Sequence, residues 1–420
     1  MGSTSGRQSR TGGRAATGVR AGLFGLLGLA LLACGQAAPR GRPVEGGKPF
    51  EAATRAGDGA TVPEAAALRV GTSGDYAPFS VWSDGEPEPR GFSADVARAF
   101  ARDQGLRIEW VRFRWPELET DLAAGRFEIA LSGITIRPDR SLAGRFALPL
   151  TATGAVALVR DTSSLRTRAD LDRAEIRLAV NRGGHLERVA RSLFPQAKVE
   201  PIADNTRVPE QLVDGHADAV LTDDLEAPHW QAELPPSRAI GPLTRDLKAA
   251  WFPIGGEGLA REFDRWLLRF EATGGLARLR ERHGLADPRT AAALPALLAS
   301  LDERLSLMPA VAHAKRVLGL PIADHAQEER VQAAVRQACL RAAREFRSEP
   351  PVAAALHRFV DAQLRAARFV QERELEVAAS SDREAARRDL DQRIRPALAF
   401  ITDRAVQWMT RERAVVVFPP

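Results

Sequence analysis

The run "DAVLTDDLEAP" (218–228) closes an apolar stretch with three carboxylates, Asp223, Asp224 and Glu226. One acid at a strand end is enough to dock a ligand amine. The third raises the question of whether this region only binds its ligand or also transforms it. Carboxylates in unlike surroundings can divide the work, one ionised and one held neutral by burial. The cations are informative in the same way. Only four of the 59 basic residues are lysines, Lys48, Lys198, Lys248 and Lys315. In so arginine-rich a chain, a lysine marks a position where a compact ammonium is needed. Lys248 stands in "DLKAAWF", which also reads as the exposed start of a strand. Arg304 and Lys315 are eleven residues apart. That is about three turns at ~3.6 residues each and predicts one shared helix face with Leu305, Met308 and Ala312. Cations on an apolar stripe need anions. A dianionic ligand would supply them, and two solvated ends of an amphipathic helix are the plain alternative.

The elements that must position these groups fall into two textures. From "ALRVGTS" onward, β-rich runs ("LRVGTS", "RIEWVRF", "EIALSG") alternate with helical patterns ("GFSADVARAFARDQGL", "WPELETDLAAGRF"). A second series follows with "IRLAVN", "HLERVARSLF", "KVEPIA", "VPEQLVDGHA" and "DAVLTD". Such alternation predicts βαβ units and parallel sheets. Chain crossings near 151–160 and 240–250 predict two α/β lobes over 67–288, the second spanning about 155–242, with a ligand cleft between them. Beyond Pro288 the strand signals vanish and helical spacing runs to about 412. This predicts a separate all-α domain over 289–420, broken at "GLPIAD" and "RSEPP". The expected fold class is thus multidomain, a two-lobe α/β unit followed by an all-helical one.

At 420 residues the chain exceeds the ~100–200 of one ordinary domain. "AGLFGLLGLALLAC" (21–34), behind Arg7, Arg10, Arg14 and Arg20, reads as an export signal over residues 1–33. Its apolar core is too short to span a membrane, which takes ~20 apolar residues. Those four arginines account for most of the formal charge of +5, so the remainder is near neutral and does not point to nucleic acid. Residues 34–66 read as a Gly/Ala/Pro-rich tether. The seven histidines show no ligand spacing, so no metal is expected. Cys339 has no partner once Cys34 is used, so no disulfide framework is expected.

Four motifs, "GDYAPFS" (74–80), "GFSADVARAF" (91–100), "ALSGITIRPDR" (130–140) and "DGHADAVLTDD" (214–224), stand in an order that resembles the periplasmic solute-binding proteins for amino acids. The resemblance implies that Arg140 pairs with a ligand carboxylate and that Asp223 makes the polar ligand contact. Read alone, without the neighbouring motifs, Arg140 is a solvated helix cap beside Pro138. "NRGGH" (181–185) offers backbone N–H groups of Gly184 and its neighbours to a second anion. Within that family, Trp115 in "RWPEL", "NRGGH" and "TDDLEA" resemble cyclohexadienyl dehydratases, which turn prephenate into phenylpyruvate or arogenate into phenylalanine. The likeness implies that Glu226 is the general acid, with a pKa raised by burial against an indole such as Trp115. Lys248 would hold the leaving carboxylate or fix Glu226. Tyr76 would contact the ring or pack the lobe, and Ser132 with Gly133 would line the cleft. His185 stands where that branch commonly has threonine.

"DERLSLMPAVAHAKRVLGLPIAD" (302–324) resembles the start of exported all-helical chorismate mutases. By that resemblance Arg304 and Arg393 bind carboxylates, Lys315 and Gln371 face the ether oxygen, and Asp324 holds a hydroxyl. Asp324 with Gln327 also makes a helix capping box. Gln327 and Ala367 depart from the family pattern, and Arg330 is a candidate replacement for the first. The two halves together imply an exported bifunctional enzyme that makes prephenate from chorismate and consumes it. It would need no cofactor, touch the membrane only through a lipid anchor at Cys34, and leave self-association open. The rival is an amino-acid-binding protein of a transporter with a helical appendage.

Overall fold

The computed structural model describes residues 66–285, 293–345, 350–374 and 382–411. The export signal, Cys34 and the tether lie outside them. The first lobe is built on a five-stranded sheet in the order Arg107–Arg112, Ala67–Thr72, Ile129–Ala130, Trp251–Pro253, Gly144–Phe146. Its first three strands are parallel and the last two join antiparallel. The second lobe repeats this plan in the order Lys198–Ile202, Arg177–Asn181, Ala219–Asp223, Ala155–Arg160, Ser237–Ile240. Ala219–Asp223 is buried at every position, the mark of a strand covered on both faces. The two crossings between lobes lie side by side. Thr151–Thr153 pairs antiparallel with Asp246–Lys248, Thr151 opposite Lys248, and forms a two-stranded hinge.

Beyond residue 293 the described chain is helical: Ala293–Ser306, Met308–Leu318, His325–Glu345, Ala353–Arg373, Arg383–Asp389, a π-turn at Leu390–Ile394, and Arg395–Arg411. Two expectations need correction. Arg304 and Lys315 do not share one continuous helix, because the chain turns at Leu307 before Met308–Leu318 begins. Pro309 has no N–H to donate, and its ring clashes with a carbonyl one turn back, so the helix restarts there. Nor does the helical region stand apart. One apolar core runs from Phe146, Trp251 and Phe263 of the first lobe to Phe359, Phe400 and Val406. Inside that interface Glu303 and Arg404 form a buried ion pair. Arg404 also donates to the carbonyls of Phe146 (3.0 Å) and Ala147 (3.5 Å).

Asp264 lies at the same interface, 2% exposed, and accepts the Leu148 N–H at 2.7 Å. Burial raises its pKa to about 7 even though Arg404 and Arg261 favour the charged form. An acid with a raised folded pKa stabilises the fold while protonated. The contribution is complete below its unfolded pKa near 3.8 and is lost as pH rises through about 7. Asp264→Asn keeps an acceptor and cannot ionise. Denaturant unfolding should find the variant gaining on the native protein by up to about 4 kcal/mol between roughly pH 4 and pH 8. A difference independent of pH would mean that Asp264 is ionised throughout.

Candidate active site

The three acids of the opening motif have three different surroundings. At the end of strand Ala219–Asp223, the Asp223 carboxylate accepts the backbone N–H groups of Leu225 (3.1 Å) and Glu226 (3.0 Å). This turn swings Glu226 inward at the start of helix Ala227–Glu233. The other Asp223 oxygen accepts the Tyr76 hydroxyl and lies 3.2 Å from Lys248 Nζ. Lys248 also donates to the Tyr76 oxygen at 2.8 Å and to Thr135 Oγ1 at 3.0 Å. Lys248 thus makes two hydrogen bonds and one ion pair among the described residues. It holds Tyr76 and Asp223 and makes no hydrogen bond to Glu226. Burial, with the charge of Asp223, keeps the Tyr76 pKa well above its usual value, so the phenol remains a donor. Asp224 points elsewhere and accepts the Gly154 N–H at 3.0 Å beside the crossover.

Glu226 is 2% exposed. One oxygen accepts Thr222 Oγ1 at 2.6 Å and the other Asn205 Nδ2 at 3.1 Å. Burial first, then the negative charge of Asp223, hold its pKa well above the carboxylate range. The two hydrogen bonds oppose this and are outweighed. The result is a carboxyl group held toward its protonated form on the wall of an interlobe cavity, which holds about 390 Å³ not filled by atoms, part of it open to solvent. Trp115 lines that cavity too. Its indole N–H donates to Asp75 at 3.1 Å, and its ring stands edge-on to Tyr76 at 5.8 Å.

Arg140 supplies the positive charge. It is 3% exposed and makes no ion pair among the described residues. Its guanidinium donates to the Thr135 carbonyl at 3.3 Å and lies 5.8 Å from the centre of the Trp251 ring. Burial lowers its pKa to about 9, so it is still charged at neutral pH. Thr135 thus holds both cations of the cavity, Arg140 by its carbonyl and Lys248 by its hydroxyl. Gly133 has φ +65°, and a Cβ there would come within 2.8 Å of Phe79 and Tyr76. The left-handed glycine lets the phenol ring sit against the loop. Ser132 was expected to line the cleft. Its hydroxyl is instead bound to Ser73 at 2.7 Å in a buried brace, and only Gly133 reaches the cavity.

The "NRGGH" loop is also less open than expected. Gly183 N–H donates to the Glu187 side chain (2.8 Å) and Gly184 N–H to the Asn181 carbonyl (3.4 Å). His185 lies 3.0 Å from Asp246 on the hinge strand, with its pKa lowered by burial. The lobes are closed on the cavity. Asn205 reaches the Asp75 carbonyl (2.9 Å), Tyr76 reaches Asp223, and Asp139 bridges Arg137 (2.8 Å) to Arg188 (2.9 Å). Sequence reasoning missed Thr135, Asn181, Asn205 and Asp75. Asn181 begins a quoted motif, but nothing local to "ADNTR" marks Asn205, whose partners are 21 and 130 residues away.

The helical region has its own cavity, with about 430 Å³ not filled by atoms, walled by side chains such as Val335, Phe359 and Leu364. Arg304 and Gln363 are polar exceptions in this wall, and burial lowers the Arg304 pKa. Arg304 Nη1 and Gln363 Oε1 are buried without a hydrogen-bond partner. The other expected mutase residues lie elsewhere. Lys315 donates to the Ile322 carbonyl (2.8 Å), and Asp324 caps helix His325–Glu345 through the Gln327 N–H (2.9 Å). Gln371 donates to the Ala367 carbonyl (3.2 Å), close to Met308. Arg393 pairs with Asp389 (2.9 Å) on an exposed face, and Arg330 with the Gln327 side chain (2.9 Å).

Comparison with known proteins agrees with the two-lobe plan. Residues 68–286 match the bacterial extracellular solute-binding proteins, family 3. Over 228 residues the chain is 34% identical to a cyclohexadienyl dehydratase of Pseudomonas aeruginosa, covering 53% of this chain and 84% of that one. It is 30% identical over 169 residues to a Vibrio harveyi protein assigned to amino-acid ABC transporter binding, covering 40% of this chain and 66% of that one. Among solved structures it is similar to the ancestral amino acid-binding protein AncCDT-1, a precursor of cyclohexadienyl dehydratase, at 28% identity and TM-score 0.49, covering 52% of this chain and 95% of that one. With the family pattern matched over more than half its length, the chain belongs to the bacterial extracellular solute-binding proteins of family 3.

Proposed function

We propose that the cleft is a cyclohexadienyl dehydratase site acting on prephenate or arogenate. One observation carries this reading: a buried carboxylic acid, Glu226, kept neutral on the wall of a cavity that also holds the unpaired cation Arg140. Binding an amino acid requires an ionised carboxylate for the amine and a cation for the carboxylate. It has no use for a protonated acid in the same cavity. Aromatisation does. The ring hydroxyl leaves as water once Glu226 gives it a proton, the ring carboxylate leaves as CO2, and the electrons of the broken C–C bond complete the aromatic ring. Arg140 anchors the remaining side-chain carboxylate as a fixed, bidentate-capable partner. Thr222 and Asn205 then hold the Glu226 carboxylate until solvent reprotonates it. The identity to a dehydratase supports this reading, and the apolar leader at 21–34 supports export, with Cys34 as a lipid anchor.

Glu226→Gln keeps the shape and one hydrogen bond but removes the proton, and general-acid catalysis is worth roughly 10²–10⁴-fold. The variant should bind prephenate about as the native protein does and form phenylpyruvate slower by that order. The native rate should fall as pH rises through the raised Glu226 pKa, because the acid form is the active one. Equal phenylpyruvate production by both proteins would return the cleft to solute binding.

For the helical region we propose a chorismate mutase site in its own cavity. The observation in favour is Arg304, a half-buried cation whose Nη1 has no hydrogen-bond partner among the described residues, on the same cavity wall as the likewise unpartnered Gln363 oxygen. Rearrangement of chorismate needs an enclosed space that enforces the reactive shape and a positive group for the anionic substrate. Arg304→Met should slow chorismate consumption by roughly 10²-fold or more, as loss of one stabilising donor does elsewhere. Prephenate aromatisation should be unchanged. Chorismate left intact by the native protein would reduce the helical region to an appendage.

A further inference from the structure

Arg140 is carried by a helix of only six residues, Pro138–Ala143. Isolated helices shorter than ~12–15 residues are marginal in water, so the aim of the guanidinium depends on what grips this turn from outside. From the second lobe, Arg188 reaches Asp139 at 2.9 Å. The opposite grip comes from the helical region. The Ser141 hydroxyl lies within hydrogen-bond distance of the Glu303 carboxylate as well as the Arg137 carbonyl (2.9 Å). Leu142 packs on the apolar cluster that includes Met308, Leu390 and Ile394. Ser141, Glu303 and Arg404 are 3%, 5% and 2% exposed. Arg404 pairs with Glu303 and is itself anchored on the Phe146 and Ala147 carbonyls of the first lobe.

We infer that Glu303, acting through Ser141, is a positioning residue for the anion-binding Arg140. The helical region thereby sets the substrate affinity of a cleft that it does not line. This rests on the dehydratase reading only in the choice of substrate. A carboxylate in a low-dielectric interface accepts a hydroxyl strongly, and the Glu303–Arg404 pair is fixed to the sheet of the same lobe. Ser141 is therefore tied to a rigid frame one residue from the guanidinium it steers. Arg140 grips a part of the substrate remote from the reacting ring carbon, so misplacing it removes binding shared by ground and transition states.

Ser141→Ala tests this, because it cuts the tie and leaves the buried ion pair intact. The full-length variant should show a KM for prephenate raised on the order of tenfold with kcat unchanged, the pattern of lost uniform binding. Ser141→Thr, which keeps a hydroxyl, should restore the native KM. A merely structural role would lower the melting temperature without separating KM from kcat. The second arm is calorimetry with phenylpyruvate, an aromatic monocarboxylate that needs no turnover. Weaker binding by Ser141→Ala than by native protein is expected. If the native protein fails to aromatise prephenate, the dehydratase reading fails, and the calorimetric arm decides the positioning role alone. Equal phenylpyruvate affinity in native and Ser141→Ala protein, strong or weak, overturns the inference.

Discussion

The Asp223 carboxylate is the contact on which the rest of the site depends. It receives Tyr76 from the first lobe, Lys248 from the hinge and two backbone amides from its own turn. Each donor removes one way in which the lobes could move apart or the turn could straighten. The group is 1% exposed, so its charge would be costly without these partners. With Lys248 it forms a buried ion pair completed by further hydrogen bonds, the condition under which such pairs hold. The same contact closes the cleft, fixes the hinge and orients Glu226.

The electrostatics of Glu226 follow from that fixed charge. A carboxylate three residues away, satisfied by its own donors, has nothing to spare for a neighbour and raises the neighbour's pKa by repulsion. Burial is the larger cause and acts in the same direction. Two acids from one motif thus diverge, one paired with Lys248 and one held toward its neutral form by burial and by the charge of the first. Lys248 lowers the field of Asp223 and makes no hydrogen bond or ion pair with Glu226 among the described residues. Arg140 takes no share in this network, which leaves its charge available to a ligand.

Much of this was legible in the sequence. Alternating short strands and helices gave the α/β class, and the shift to Ala, Arg, Leu and Glu gave the helical region. The motif acids, Tyr76, Arg140 and Lys248 could be picked out because each is chemically unusual where it stands. What escaped was of two kinds. Neutral polar residues such as Asn205 and Thr135 are ordinary in type, and only the fold brings them to Glu226 and to the two cations. The helix break at Leu307 was readable from Pro309 but was outweighed by the attraction of an eleven-residue spacing. The union of the helical region with the first lobe was not readable, because Arg404 and the Phe146 carbonyl it binds are 258 residues apart and Arg404 alone looks like a surface charge.

That union bears on how a binding-protein cleft comes to do chemistry. A binding protein gains from opening, since it must release what it holds. A general acid gains from staying closed, because each water admitted to Glu226 weakens the burial that keeps it protonated. In this chain the first lobe is stiffened from outside by a core shared with the helices and by a buried ion pair seated on its own sheet carbonyls. The second lobe is built on two clusters of its own and touches the shared core, among its described residues, through Leu225. Motion about the hinge formed by Thr151–Thr153 and Asp246–Lys248 therefore falls to the second lobe, which carries Asp223, Glu226 and Asn205. The cation stays with the stiff lobe and the acid with the moving one. On the proposed dehydratase reading, substrate is held by Arg140 before closure, and the acid meets it only when Tyr76, Lys248 and Asp223 have come together.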